Sequence, residues 1–97
     1  MADLFVLAIV YAKKGQEDRL RTDLTALVEP SRKDEGNLRY DLFVDQNDQG
    51  RFVFVEQWTD RAAHQKHDSQ GPHIAQFREH GASAVKKADV YILDMIA

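Results

Sequence analysis

Hydrophobic residues form an unbroken run near the start of the chain, LFVLAIVY from Leu4 to Tyr11. The run is rich in branched side chains and has the length of a β-strand, so it predicts a strand with both faces buried. Because successive side chains of a strand point to opposite faces, two apolar sets are expected. One set is Leu4, Val6, Ala8 and Val10, and the other is Phe5, Leu7, Ile9 and Tyr11.

Apolar residues after Gly15 recur at helical spacing and predict a helix with one buried stripe. The stripe consists of Leu20, Leu24, Leu27 and Val28. Proline removes a backbone donor and clashes with the preceding turn, so Pro30 predicts a kink or break near Glu29. Gly36 is expected to end the segment, because glycine readily adopts the conformation that closes helices.

Two further stretches, Leu38–Asp45 and Arg51–Thr59, have the composition of strands. The residues between them, QNDQG, favour turn conformations and predict a hairpin. In the second of these strands, alternation again predicts two apolar faces. Val53 and Val55 lie on one face, and Phe52, Phe54 and Trp58 lie on the other.

Two short helices and a last strand complete the pattern. Asp60 is a suitable cap for a helix over Arg61–Ser69. Pro72 suits the first turn of another helix, which should end near Gly81. The final apolar run, DVYILDMI, predicts a strand over Asp89–Ile96.

The predicted order of elements is strand, helix, strand, strand, helices, strand. This is the split βαβ arrangement of a ferredoxin-like α+β fold with an antiparallel sheet, and residues 1–97 are expected to form one domain. The helices can cover only one face of the sheet, and the other face would expose more apolar surface than monomers usually tolerate. We therefore expect a homodimer joined sheet to sheet, burying more than ~2,000 Å² in total.

Composition narrows the classes of protein that fit. With 43% hydrophobic and 30% charged residues, the chain resembles an ordinary globular domain. The absence of cysteine excludes disulfides, thiolate metal sites and a cysteine nucleophile. No apolar run approaches the roughly 20 residues of a membrane span, and the N-terminus does not resemble a signal peptide, so a cytoplasmic location without a membrane partner is expected.

Charge argues against a nucleic-acid partner. RNA-recognition motifs share this order of elements, and the strands LFVLAI and GRFVFVE superficially resemble their RNA-binding strands. However, the formal net charge is −3, and Glu56 would lie on the same face as Phe52 and Phe54, opposite phosphate. No nucleic-acid binding is therefore expected.

Three segments, EGNLRYDLFVDQND, RFVFVEQWTDRAAHQKH and PHIAQF, together resemble the antibiotic biosynthesis monooxygenase family in order and spacing. The resemblance implies a dimeric α+β barrel with one pocket per subunit, between the sheet and the helices. The family includes cofactor-independent oxygenases of quinols and polyphenols, an isomerase-like enzyme and haem-degrading relatives, together with many members of unknown substrate.

The resemblance also singles out candidate site residues. His67 and His73 match recurring histidines of the family, and a histidine in an apolar cavity can take a proton from a phenol near neutral pH. Glu56 is a third catalytic candidate, with a salt bridge or a backbone cap as the alternative. The candidates for substrate binding are Trp58, Tyr40, His64, Phe54 and Phe77. For Trp58 and Tyr40 a role in the core stays open beside a role as hydrogen-bond donor to a substrate oxygen.

Metal and haem chemistry are not expected from the sequence. His64, His67 and His73 are close enough to bind zinc, but their spacing matches no strong metal signature. The positions that haem-degrading relatives use fall on Ala8, His67 and Phe77, and all three differ from the residues of those relatives. Haem binding would therefore require His73 or His80 to replace the axial ligand.

The function expected from the resemblance is cofactor-independent monooxygenation of a small aromatic quinol or enolisable compound, with O₂ as the second substrate. Such a reaction needs a base, donors that hold the substrate anion, and a dry cavity. Two alternatives remain open. One is an isomerase-like proton transfer on a small oxygenated metabolite, and the other is a dimer that binds a small molecule without turning it over.

Overall fold

The computed structural model describes residues 3–97 of the chain, and Met1 and Ala2 of the predicted domain lie outside the described residues. The strands and helices follow the predicted order, with a 3₁₀ turn, Ala82–Ala84, before the last strand. The strands are β1 (Leu4–Ala12), β2 (Asn37–Asp45), β3 (Asp48–Trp58) and β4 (Val85–Leu93). The helices are α1 (Glu17–Thr25), α2 (Val28–Arg32), α3 (Arg61–Gln70) and α4 (Pro72–His80).

The four strands form one antiparallel sheet in the order β2-β3-β1-β4, which confirms the α+β, ferredoxin-like fold class. The central strands β1 and β3 pair from Leu4 opposite Trp58 to Tyr11 opposite Arg51. This register places Val6 opposite Glu56, so their side chains lie on the same face of the sheet. None of the helices within residues 3–97 is long and apolar enough to cross a bilayer.

The predicted break in the first helical segment lies at Ala26 and Leu27, two to three residues before the expected position. Pro30 has no N–H to donate to the carbonyl four residues earlier, which is that of Ala26. Regular bonding resumes at Ser31, whose N–H donates to Leu27 O at 3.1 Å. Pro30 therefore interrupts the helical hydrogen bonding one turn before its own position.

The hairpin between β2 and β3 has a shorter loop than predicted, because β3 begins at Asp48. Asp45 pairs with Asp48, leaving a two-residue turn of Gln46 and Asn47. The Asn47 N–H donates to Asp45 Oδ1 at 2.7 Å. Asp48, Gln49 and Gly50, which the sequence assigns to the turn, therefore belong to β3, because backbone pairing with β2 continues to Asp48.

The prediction of the last strand over Asp89–Ile96 is wrong in its bounds, since β4 is Val85–Leu93. β4 pairs with β1 from Ala12 opposite Val85 to Phe5 opposite Leu93. The length of β1 sets the length of this edge strand, because an edge strand has only one neighbour to bond. The apolar character of Met95 and Ile96 therefore does not extend the strand.

The helices pack on one face of the sheet and bury the predicted stripe. Leu20 and Leu24 are at most 1% exposed and belong to the same core as Phe52. No helix within residues 3–97 packs against the opposite face. Phe43, Tyr91 and Leu93 on that face are 50%, 49% and 44% exposed.

Candidate functional site

Glu56 and Trp58 form a buried hydrogen-bonded pair on β3. They share a face because they are two residues apart on a strand. The indole Nε1–H of Trp58 donates to Glu56 Oε1 at 3.0 Å, and Glu56 is only 4% exposed. Burial raises the pKa of Glu56 to about 7, although the bond from Trp58 lowers it. The indole N–H that was a candidate donor to substrate is thus bonded to Glu56.

Tyr40 lies opposite Glu56 in the pairing of β2 with β3. Its side chain is buried, and its ring centroid lies 5.1 Å from that of Phe54 and 5.5 Å from that of His67. Burial, followed by the charge of Glu56, raises the pKa of the Tyr40 phenol. The phenol is therefore a proton-bearing donor near two other titratable groups.

His67 is held over this face by α3. Asp60 caps the helix, accepting a hydrogen bond from the Ala63 N–H at 2.8 Å, as the sequence predicts. The His67 ring packs on Trp58, with 4.7 Å between centroids, and its side chain is 5% exposed. Burial lowers the pKa of His67, while the hydrogen bond to Asp34 raises it. Burial thus favours the neutral imidazole, the form that accepts a proton.

Asp34 links the two histidines that the sequence singles out. Its Oδ2 lies 2.6 Å from His67 Nδ1 and 3.1 Å from His73 Nε2. Because a carboxylate only accepts hydrogen bonds, we assign the His67 proton to Nδ1, which leaves Nε2 with a free lone pair. Asp34 therefore fixes the tautomer of His67 as well as its position.

Two glycines make this arrangement sterically possible. Gly36 has φ of 81°, and a Cβ there would lie 2.5 Å from the Ala63 Cβ, so the loop that carries Asp34 approaches α3 closely. Gly71 joins α3 to α4, and a Cβ there would lie 2.6 Å from the His67 carbonyl oxygen. The tight junction folds His73 back until its ring is 5.6 Å from that of His67.

Sequence reasoning missed Asp34. It lies in a loop, 33 residues from His67, and no local spacing connects the two. The only signal near it is Gly36, two residues later, which indicates a closed turn rather than a site. The three ligand atoms of Asp34, His67 and His73 lie within 4.8 Å of one another, so the structure replaces the sequence-based trio by one with Asp34 in place of His64.

A cleft of about 310 Å³ lies between the sheet and the helices. Most of its wall is apolar, from residues of β1, α1 and α4 such as Val10, Leu24 and Ile74. Six of the eight predicted site residues line it: Tyr40, Phe54, Glu56, His64, His67 and Phe77. This combination of an apolar wall with a few polar groups is typical of small-molecule sites.

The other two predicted residues lie outside the cleft. Trp58 is fully buried beneath Glu56 and His67, where it supports both. His73 lines a separate groove of about 250 Å³ with Phe77 and His80. Trp58 therefore affects the cleft through its hydrogen bond to Glu56. His73 affects it through Asp34, which contacts His67.

Asp68 and Arg78 also line the cleft, and sequence reasoning missed them. Arg78 Nη2 lies 3.2 Å from Asp68 Oδ1, and Arg78 Nη1 donates to the Asp68 carbonyl at 3.0 Å. More than half of each side chain is exposed. The pair ties α3 to α4 beside the cleft, and its exposure limits its contribution to stability.

Comparison with known proteins gives consistent results. Residues 4–80 match the family described as "Antibiotic biosynthesis monooxygenase". The crystal structure of PA3566 from Pseudomonas aeruginosa is 34% identical, with a TM-score of 0.92 over 100% of this chain and 97% of that one. A crystal structure named antibiotic biosynthesis monooxygenase is also 34% identical, with a TM-score of 0.88 over 97% of this chain and 99% of that one.

A curated relative, "Putative monooxygenase YcnE" of Bacillus subtilis, is 34% identical over 61 residues. The match spans 63% of this chain and 64% of that protein, which is just under two thirds of the relative's length.

Proposed function

This chain belongs to the antibiotic biosynthesis monooxygenase family, and we propose that it is a cofactor-independent monooxygenase of a small aromatic quinol or a related enolisable compound. The observation that carries the proposal is the 2.6 Å contact from Asp34 to His67 Nδ1, which leaves Nε2 of a cleft-lining histidine free to accept a proton. A carboxylate that orients a histidine is the usual support of a general base.

The proposed reaction begins when His67 takes a proton from a substrate hydroxyl. The resulting anion transfers one electron to O₂, and the substrate radical and superoxide recombine with formation of a carbon–oxygen bond. Cleavage of the O–O bond then leaves one oxygen atom on the substrate and releases the other in water, so the substrate loses two hydrogens and gains one oxygen. All electrons come from the substrate, so the proposal requires no external reductant.

The other polar groups of the cleft have proposed roles in the same reaction. The Tyr40 phenol would donate a hydrogen bond to the substrate anion, which a low-dielectric site makes stronger than in water. Glu56 would accept or return a second proton, since its pKa of about 7 allows both states near neutral pH. His73 would act through Asp34. His64, Phe54 and Phe77 would contact the substrate ring.

A homodimer is part of the proposal. The sheet face opposite the helices carries apolar residues that are half exposed in the single chain, including Phe43, Tyr91 and Leu93. Covering that face with the same face of a second chain would remove the exposed patch and produce the two-layered barrel of this family.

An oxygen electrode tests the proposed function. Purified protein is incubated with a panel of reduced quinols, and oxygen uptake and product mass are recorded. We expect one oxygen atom per product and no requirement for added reductant. Proton exchange on enolisable ketones without oxygen uptake would instead favour the isomerase-like alternative. If compounds bind but neither reaction occurs, the chain is a binding protein.

A further inference from the structure

We propose that Asp34, His67 and His73 form a binding site for a divalent transition metal of the Zn²⁺ class, and that a bound ion switches off His67 as a base. Two histidines and one carboxylate are a common ligand set for such ions. All three residues are held by the fold before any ion arrives, on the α2–β2 loop, on α3 and on the first turn of α4.

The distances are close to those of a metal site. Asp34 Oδ2 lies 2.6 Å from His67 Nδ1 and 3.1 Å from His73 Nε2. Ligand atoms around a tetrahedral ion with bonds of about 2.0–2.2 Å stand roughly 3.3 Å apart. The two Asp34–histidine distances therefore need to widen by less than about 1 Å as an ion displaces the hydrogens between them. The ligand atoms of the trio lie within 4.8 Å of one another, so the two histidine nitrogens approach each other by up to roughly 1.5 Å.

A groove gives an ion access to the trio. It has a volume of about 260 Å³, and Asp34 and His67 form part of its wall. Glu35 lines the same groove and supplies a further carboxylate, whereas Lys33 and Lys66 contribute two positive charges. The lysines oppose cation binding, so we expect reversible binding of modest affinity rather than a permanent structural ion.

The consequence for His67 follows from the chemistry of its ring, and this step rests on the proposed function. Without metal, Nδ1 carries the proton that is donated to Asp34, and Nε2 has the lone pair. With metal on Nδ1, the neutral ring carries its proton on Nε2 and cannot accept another from the substrate. Zinc should therefore inhibit the base while the cleft itself stays open.

Metal binding can be measured without any activity. Metal-free protein is titrated with ZnCl₂ in competition with a chromophoric chelator. We expect one ion per chain, and at least tenfold weaker binding in His73→Ala and in Asp34→Ala. His80→Ala is the matched control, because this histidine is 69% exposed and lies outside the trio. Equal binding by all four proteins, or no binding by the native chain, would overturn the site.

A second measurement needs no variant and so does not depend on whether Asp34→Ala folds. The ring signals of His67 and His73 in NMR spectra of the native protein should shift on addition of zinc, while that of His80 should not. Shifts confined to His80 would show adventitious surface binding and overturn the proposal.

Inhibition is tested separately on any substrate that the oxygen-electrode panel identifies. Turnover should fall to less than a tenth at saturating zinc and return on addition of EDTA. The zinc concentration that halves turnover should equal the midpoint of the binding titration. Stoichiometric binding at the trio with unchanged turnover would overturn the switch. If zinc binds as expected but no compound reacts in metal-free protein, the proposed function fails and the metal site stands.

Discussion

The two faces of the sheet arise from the same alternating pattern, but their apolar side chains differ in exposure within one chain. On the helix-covered face, apolar side chains such as Phe52 and Phe54 are buried and surround the polar groups Glu56 and His67. On the other face, residues such as Phe43 and Tyr91 are about half exposed. An apolar pattern therefore identifies the positions that favour burial, while the helices decide which face is buried within one chain. Glu56 and His67 are tolerated there because each has a specific hydrogen-bond partner, Trp58 and Asp34 respectively.

The largest expected effect concerns the polar groups of the covered face. If His67 is the base, His67→Ala should lower turnover by about 10²–10⁴-fold, which is the usual contribution of general-base catalysis. Turnover is measured on the substrate found in the quinol panel. The matched control is His80→Ala, whose side chain is exposed at the end of α4 and outside the cleft. Unchanged turnover in His67→Ala would remove this histidine from the mechanism.

The second effect concerns the packing of the same face. Trp58 is fully buried, so Trp58→Ala should lower the free energy of unfolding by roughly 3–5 kcal/mol. Part of this loss comes from Glu56, which would lose its donor. Urea unfolding measures the change, and the exposed Gln65 provides a control substitution, Gln65→Ala, with a change near zero. A loss below about 1 kcal/mol would contradict a core role for the indole.

The third effect is a pH dependence of the free energy of unfolding, which arises from Glu56 on the covered face. The pKa of Glu56 is raised from 4.5 to about 7 in the folded protein, so the folded state holds this proton more tightly than the unfolded state. Its contribution to stability is therefore present below about pH 4.5 and is lost as the pH rises to about 7, by up to about 3 kcal/mol.

Glu56→Gln removes this titration but keeps an oxygen that can accept from Trp58. The difference in free energy of unfolding between variant and native protein should move in favour of the variant between pH 4 and pH 8. Glu79→Gln, at an exposed position, is the control for the same chemical substitution. A difference for Glu56→Gln that does not change with pH would contradict the raised pKa.

The smallest effect is expected on the open face and tests the proposed dimer. Leu7 lies opposite Val55 and Tyr91 at the centre of that face. Burying an unpaired charge there should weaken association by roughly 2 kcal/mol, or about 30-fold. Sedimentation of Leu7→Glu should show monomer at concentrations where the native chain and Gln65→Glu are dimeric. A native chain that sediments as a stable monomer would contradict the dimer itself.

Much of the covered face was predictable because its signals are local. The alternation of β3 places Glu56 and Trp58 on one face, where the structure joins them by a hydrogen bond. The helix cap at Asp60 is local as well. Short-range periodicity thus placed the strand residues on the covered face, whereas the family resemblance singled out the six candidates that line the cleft.

What the sequence determined by itself is the order and type of the elements and the face on which each side chain lies, because these depend on residues two to four positions apart. Only the tertiary structure decided the bounds of β4, which follow its pairing with β1, and the partners of the buried polar groups. Asp34 meets His67 across 33 residues, and the Trp58 N–H is bonded to Glu56 rather than left free for a substrate. The Asp34–His67 contact depends on the packing of the loop at Gly36 on α3, a contact between distant segments that no local pattern encodes.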